Sequence, residues 1–210
     1  MQLYGGTMPD NEPLDDHSAT AAELDFLHID ARALRVLAHP LRIRLLNALR
    51  EHGPATASGV AERLGESSGA TSYHLRQLAS HGFVEDDPTL GKGRERWWRA
   101  AHAGTAFDSA LMHDADPEVR GAMGVVLHEV ATIHSQELST WLGTMHEWSR
   151  EWYEGSSLSD FKIRLTPELS RELAEKVHEL IDTYRGRVPE GTEGSAVVRT
   201  HLHVFPRRTD

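Results

Sequence analysis

Four punctuation points, Pro40, Gly53-Pro54, Gly65 and Gly82, limit how this chain can fold more than any other feature. They divide residues 30–82 into short segments, and isolated helices under about 12–15 residues are marginal in water. Each segment nonetheless carries an apolar stripe at helical spacing. Leu34, Leu37 and Ala38 form the first, and Leu41, Leu45, Leu46 and Leu49 the second. Val60, Ala61 and Leu64 form the third, and Thr71, Leu75 and Leu78 the fourth. Such helices persist only by burying these stripes on one another.

The boundaries have mechanisms. Pro40 disfavours helix at His39 and suits the first turn of a helix over 41–51. Thr56 is an N-cap for a helix over 57–64, which Gly65 stops. Ser67 or Ser68 caps a helix running to about His81, and Gly82 ends it. Residues 83–86 and 94–99 then read as two short strands around the turn-rich, glycine-rich basic stretch 88–93, a β-hairpin. Short helices followed by such a hairpin predict a winged helix-turn-helix domain over 28–102.

The remainder differs in kind. Residues 1–27 read as a disordered acidic tail, with Gly5-Gly6, Pro9, Pro13 and Asp15-Asp16 and few apolar residues. Residues 103–116 are ambiguous. From the Asp116-Pro117 start signal a helix over 117–153 is expected. Its seam is Met123, Leu127, Val130, His134, Leu138, Trp141, Met145, Trp148 and Trp152, close to a heptad. At about 1.5 Å per residue it would span about 55 Å, which predicts a dimerisation region over 103–154. Beyond the linker 155–159, a strand over 160–165, a helix from the Thr166 N-cap and Pro167 to Tyr184, and a strand over 196–205 predict a small β-α-β domain over 155–210. The fold class is therefore mainly α (α+β).

The chain has 210 residues, no cysteine and a net charge of −10. Without cysteine there is no disulfide framework, iron–sulfur site, thiolate zinc site or cysteine nucleophile. No apolar run is long enough to span a membrane, and no secretory signal precedes the domain, so a cytoplasmic protein is expected. The charge is unevenly spread. Residues 1–30 hold seven acids and no Lys or Arg, residues 31–101 hold eleven bases and seven acids, and residues 102–210 hold eleven bases and eighteen acids. A module of +4 thus lies between two flanks of −7, and affinity for phosphate follows the local field.

The helix over 68–81 turns Thr71, Leu75 and Leu78 inward, leaving Gly69, Ser72, Tyr73 and Arg76 outward with Ser68 at the tip and Gln77 beside them. Small residues at a helix N-terminus permit close approach to bases, and Ser, Tyr and Arg supply donors for base edges and phosphates. Lys92, Arg94 and Arg96 place three cations in a thin glycine-containing wing. The competing readings are a solvated helix face and an ordinary charged hairpin. Of Trp97 and Trp98, on opposite strand faces, one belongs to the core.

Residues 34–46, Leu34-Arg35-Val36-Leu37-Ala38-His39-Pro40-Leu41-Arg42-Ile43-Arg44-Leu45-Leu46, resemble the opening of the ArsR-type winged-helix repressors. Ala70-Thr71-Ser72-Tyr73-His74-Leu75-Arg76-Gln77-Leu78 with His81-Gly82-Phe83-Val84 is similar to that family's recognition helix. Gly91-Lys92-Gly93-Arg94 and Trp98 are similar to its wing. The resemblance covers roughly residues 30–101. It implies a homodimeric regulator of transcription, usually a repressor, that binds an inverted repeat of double-stranded DNA. Ser68, Gly69, Ser72, Tyr73 and Arg76 would face the major groove, Lys92, Arg94 and Arg96 the phosphates or minor groove, and His74 would pack between helices. The second half resembles C-terminal extensions of some actinobacterial ArsR-like regulators.

Many members of that family sense metals, but the cysteine pair of the arsenic- or lead-type sensors is impossible here. His128 and His134 are six residues apart, roughly 240° around a helix, and do not converge. His201 and His203, with His178 or Asp182, are weighed against a plain polar strand face, and no metal or cofactor is assigned. His134, Trp141, Met145, Trp148 and Trp152 are a candidate pocket for a small hydrophobic effector, against a core or dimer seam. No nucleophile motif or phosphate-binding glycine loop is present, so no enzyme is expected. The rival is a winged-helix protein-interaction module that does not bind DNA.

Overall fold

The computed structural model describes residues 2–4, 26–90 and 95–208. The chain divides into two compact units, Met1–Gln136 and Glu137–Asp210.

The first unit begins with two strands, β1 (Gln2–Tyr4) and β2 (Phe26–Ile29). Four helices follow with a strand among them: α1 (Ala31–Leu37), α2 (Pro40–His52), β3 (Ala55–Thr56), α3 (Ala57–Leu64) and α4 (Ser68–Ala79). Then come β4 (Val84–Asp86), β5 (Trp97–Ala100), β6 (Gly104–Asp108), a 3-10 turn at Ser109–His113 and α5 (Pro117–Thr144). Side chains hold each helix start. Asp30 accepts from Ala33 N at 2.8 Å, Thr56 from Gly59 N at 3.1 Å and Ser67 from Ala70 N at 3.2 Å. His39 Nδ1 accepts from Leu41 N at 3.2 Å beside Pro40, which needs an unprotonated Nδ1. Gly65, at φ +67°, takes the left-handed conformation that closes α3.

One apolar core unites these elements. Leu34, Leu45, Val60, Leu75, Leu78, Phe83 and Trp98 are buried in it, together with Phe107 of β6 and Val119, Met123 and Val126 of α5. Of the two wing tryptophans it is Trp98 that enters the core. The wing is three-stranded and antiparallel in the order β3-β5-β4, with Ala55 opposite Trp98 and Val84 opposite Ala100. A second sheet, β1-β6-β2, is parallel throughout, and Gly104 to Phe107 at its centre are buried. A Cβ on Gly104 would lie 2.1 Å from the Phe26 ring, so any larger residue must displace that ring.

Two expectations change in this unit. The tail over 1–27 is not wholly unstructured, since Gln2–Tyr4 pairs with β6 and Phe26–Ile29 begins the domain, while residues 5–25 lie outside those described. An edge strand can be held through backbone hydrogen bonds with little help from its composition. The first turns of α5 bury Val119, Ala122, Met123 and Val126 in the domain's own core, so Met123, the first residue of the expected dimer seam, is occupied within one chain.

The second unit holds the end of α5, a 3-10 turn at Met145–Glu147, α6 (Arg150–Glu154) and α7 (Pro167–Asp182). The single helix expected over 117–153 is thus interrupted after Thr144. Gly143 weakens its last turn, and the Thr144 hydroxyl donates back to the Thr140 carbonyl at 3.0 Å. At 28 residues, α5 spans about 42 Å. The helix of the expected β-α-β domain forms, capped by Thr166 accepting from Leu169 N at 3.3 Å. Its two strands do not: residues 160–165 and 196–205 join no sheet. β-propensity records fit to a hydrogen-bonded, half-buried surface, and neither segment has such a neighbour in a sheet of this unit.

Candidate nucleic-acid interface

α4 sorts its residues as its period requires. Thr71, Leu75 and Leu78 are buried, while Ser68, Gly69, Tyr73 and Arg76 are exposed and Ser72 and Gln77 half-buried. Ser67, not Ser68, is the cap, which leaves the Ser68 hydroxyl at the first helical position. A Cβ on Gly69 would meet nothing within 4 Å, so the protein's own packing does not demand glycine there. Among the described residues Arg76 makes no ion pair.

Beside this face the start of α3 and the wing complete a shallow groove of about 220 Å³, lined by Thr56, Ala57, Ser58, Ser72, Arg76, Glu95, Arg96 and Trp98. Thr56 and Ser58 are missing from the sequence-derived set. The signal was present in the hydroxyl pair at the start of the helix before α4, but Thr56 reads fully as a cap. Arg96 is differently engaged than a free wing cation. Its Nε lies 2.9 Å from Asp86, and its guanidinium sits 4.1 Å from the Trp98 ring centroid. Three residues on, Arg99 pairs with Glu85 at 2.6 Å. Lys92 and Arg94 lie outside the described residues.

Behind α4, two histidines and Arg42 lie together against α2. The His39 and His74 rings are 4.4 Å apart, and Tyr73 meets His74 edge-on at 5.1 Å. His74 Nδ1 and Arg42 Nε are buried without a hydrogen-bond partner among the described residues. Burial, followed by nearby positive groups, holds both imidazoles below their ordinary value, against a smaller opposite pull from Glu66. Burial also lowers Arg42. His74 is thus a packing residue between helices. Glu66, in the turn before α4, pairs with Arg44 at 3.0 Å, and Arg44 also reaches Glu129 of α5 at 3.7 Å. At the far end of α2, Arg50 donates to the His102 carbonyl at 3.1 Å and to Thr105 Oγ1 at 2.9 Å, and burial pushes it down to about 10.

The candidate effector residues fall in different units. His134 is in the first, and Trp141, Met145, Trp148 and Trp152 are in the second, where the Trp148 and Trp152 rings meet edge-on at 6.0 Å. His201 lies 2.9 Å from Glu137, and its ring is 6.4 Å from that of His203. Among the described residues no three His, Asp or Glu side chains are grouped to hold a metal, and no helix is long and apolar enough to cross a membrane.

The family model for a helix-turn-helix domain matches residues 37–87. Among solved structures, the chain is similar to the homodimeric winged helix-turn-helix DNA-binding domain of Mb0332 from Mycobacterium bovis, described as a possible ArsR-family regulator. The identity is 24%, over 49% of this chain and 76% of that one, with a TM-score of 0.31. It is also similar to the AntR antimony-specific transcriptional repressor, at 21% identity over 51% of this chain and 78% of that one, with a TM-score of 0.32. A third, RV1404 from Mycobacterium tuberculosis, is 14% identical over 74% of this chain and 85% of that one, with a TM-score of 0.29. No curated protein matches the chain. Sequence match and observed helices agree on one statement: residues 37–87 are a helix-turn-helix domain, here completed by a three-stranded wing.

Proposed function

We propose that this protein is a DNA-binding transcription regulator of the ArsR type, acting as a repressor and binding an inverted repeat as a homodimer. The observation that carries the reading is the outer face of α4, where Gly69 is unhindered and Arg76 makes no ion pair among the described residues. In this reading Ser68, Gly69, Ser72, Tyr73, Arg76 and Gln77 meet the major groove, with Arg76 as the base reader. Thr56 and Ser58 at the start of α3, and Lys92, Arg94 and Arg96 of the wing, hold phosphates and fix the register. The local +4 of residues 31–101 supplies the long-range attraction that the whole-chain charge hides. A small hydrophobic effector near Trp141, Met145, Trp148 and Trp152 would tune binding, and no metal or cofactor is invoked.

The test is selection of sheared genomic DNA by the purified protein at two salt concentrations, followed by sequencing. Enrichment of an inverted repeat that survives the higher salt supports the reading, because non-specific binding is lost with counterion release. The engagement of Arg96 by Asp86 and Trp98, with Glu95 on the groove rim, favours the rival protein-interaction module. Absence of retention at either salt would select that rival.

A further inference from the structure

Residues 160–165 and 196–205 have strand composition and no sheet to join, and their apolar side chains stand in solvent. Phe161 is 83% exposed, Ile163 61%, Val197 92%, Val198 68% and Phe205 74%. Between them α7 buries none of its residues. Scattered exposed hydrophobes are ordinary, but a run of this kind on one small unit is not. Together these five leave on the order of 700 Å² uncovered, close to the about 800 Å² that each partner buries in a stable complex.

We infer that residues 155–208 are one half of a sheet shared between two chains. Residues 160–165 and 196–205 pair as strands with a second copy of this unit, and α7 covers the sheet so formed. Two strand segments in one chain are too few for independent stability, whereas four with helices packed against them suffice. The charge pattern selects the same occupant. Lys162, Arg164 and Arg207 lie on or beside the strand segments, while α7 holds five acids against Arg171 and Lys176, the latter paired with Glu172, so one unit carries both halves of a self-complementary contact. The inference deepens the homodimer part of the proposed function and rests on that part alone, not on DNA binding.

The experiment uses the full chain, with sedimentation velocity over a concentration series and hydrogen exchange at both ends of it. The expected result is a dimer in which amides of 161–165 and 197–205 exchange at least tenfold more slowly than in the dilute monomer. Ile163→Asp and Val198→Asp, both at exposed positions, should each raise the dimer dissociation constant at least tenfold and leave the unfolding transition of the first unit in place. Leu142→Asp, on the exposed side of α5, should leave the dimer intact. A monomer at about 100 μM, where an interface of this area is occupied, would overturn the inference. So would a dimer with these amides unprotected, or one broken by Leu142→Asp and by neither strand variant. A strand-paired dimer that selects no DNA sequence upholds the inference and removes the DNA reading.

Discussion

In the first unit α4 turns Thr71, Leu75 and Leu78 to one side and all three are buried, whereas in the second α7 turns Leu169, Leu173, Val177 and Leu180 to one side and none is. Both helices begin at a hydroxyl cap, and both have an apolar stripe at the same period. The difference lies in what each stripe meets. α4 finds α2, α3 and the wing within its own chain, while α7 has Leu173 and Val177 only half-buried and Leu169 and Leu180 exposed. Apolar periodicity specifies that a face must be covered; it does not say by which molecule.

The sharpest way to break this comparison is to remove one buried and one exposed leucine. Leu75→Ala should cost about 2–5 kcal/mol in the unfolding of the first unit, because it opens a cavity in a close-packed core. Leu180→Ala, at an exposed position, should leave that transition where it is. Equal effects, read in parallel chemical denaturations, would mean that α7 is covered within its own chain after all.

Gly104→Ala probes the region that sequence reasoning left blank. The added methyl must displace the Phe26 ring, at a cost of about 1–3 kcal/mol. Phe26→Leu should recover part of that loss in a double-mutant cycle. Additive losses would place the strain elsewhere.

What was legible in the sequence follows the same division. The helix starts at Pro40, Thr56 and Ser67 were readable because each rests on a local hydrogen bond or a fixed dihedral. The inward face of α4 was readable because its partners are in the same short domain. β6 and its parallel neighbours were not, since Gly104-Thr105-Ala106-Phe107 is buried on both faces and shows no alternation. Nor was β3, whose two residues merge with the cap of α3. Residues 160–165 and 196–205 were over-read for the converse reason: strand-like composition was present without a sheet within the chain. Arg96 lies just before β5, and its ion pair with Asp86 crosses between strands and has no sequence signature.

Function divides along the same line, and Arg76→Ala tests it. At an exposed helix position the substitution should barely move stability, and it should weaken binding to a selected site by about 1–3 kcal/mol while relaxing one base preference. Affinity and sequence preference both unchanged in a binding titration would remove Arg76 from the interface.

Acid should act on the first unit through His39 and His74. Both are held below 6.5 when folded, chiefly by burial and then by neighbours that include Arg42, while the unfolded chain takes up protons at the ordinary value. The folded state therefore binds fewer protons, and stability is complete above pH 6.5 and declines as pH falls below it. Protonation at Nδ1 of His39 would also remove the α2 cap. Unfolding free energies measured between about pH 7.5 and pH 5 should show this slope, and His39→Asn, which preserves a capping side chain, should flatten it. A slope unchanged in His39→Asn and in His74→Gln would assign it to other groups.

The smallest expected effect separates fold from function most cleanly. Gly69 sits at the second position of α4, at helical dihedrals, with open space where a Cβ would go. Alanine is the better helix former, so Gly69→Ala should leave the first unit as stable as before or more stable by up to about 1 kcal/mol. The fold thus gives no reason for glycine here, whereas close approach of a groove or a phosphate to the helix tip does. Thermal unfolding and DNA affinity of the same variant should then move in opposite directions, stability level or up and binding down. A variant that gains stability and binds as before would show that the tip of α4 is not in close contact, and would shift the reading toward the wing and the start of α3.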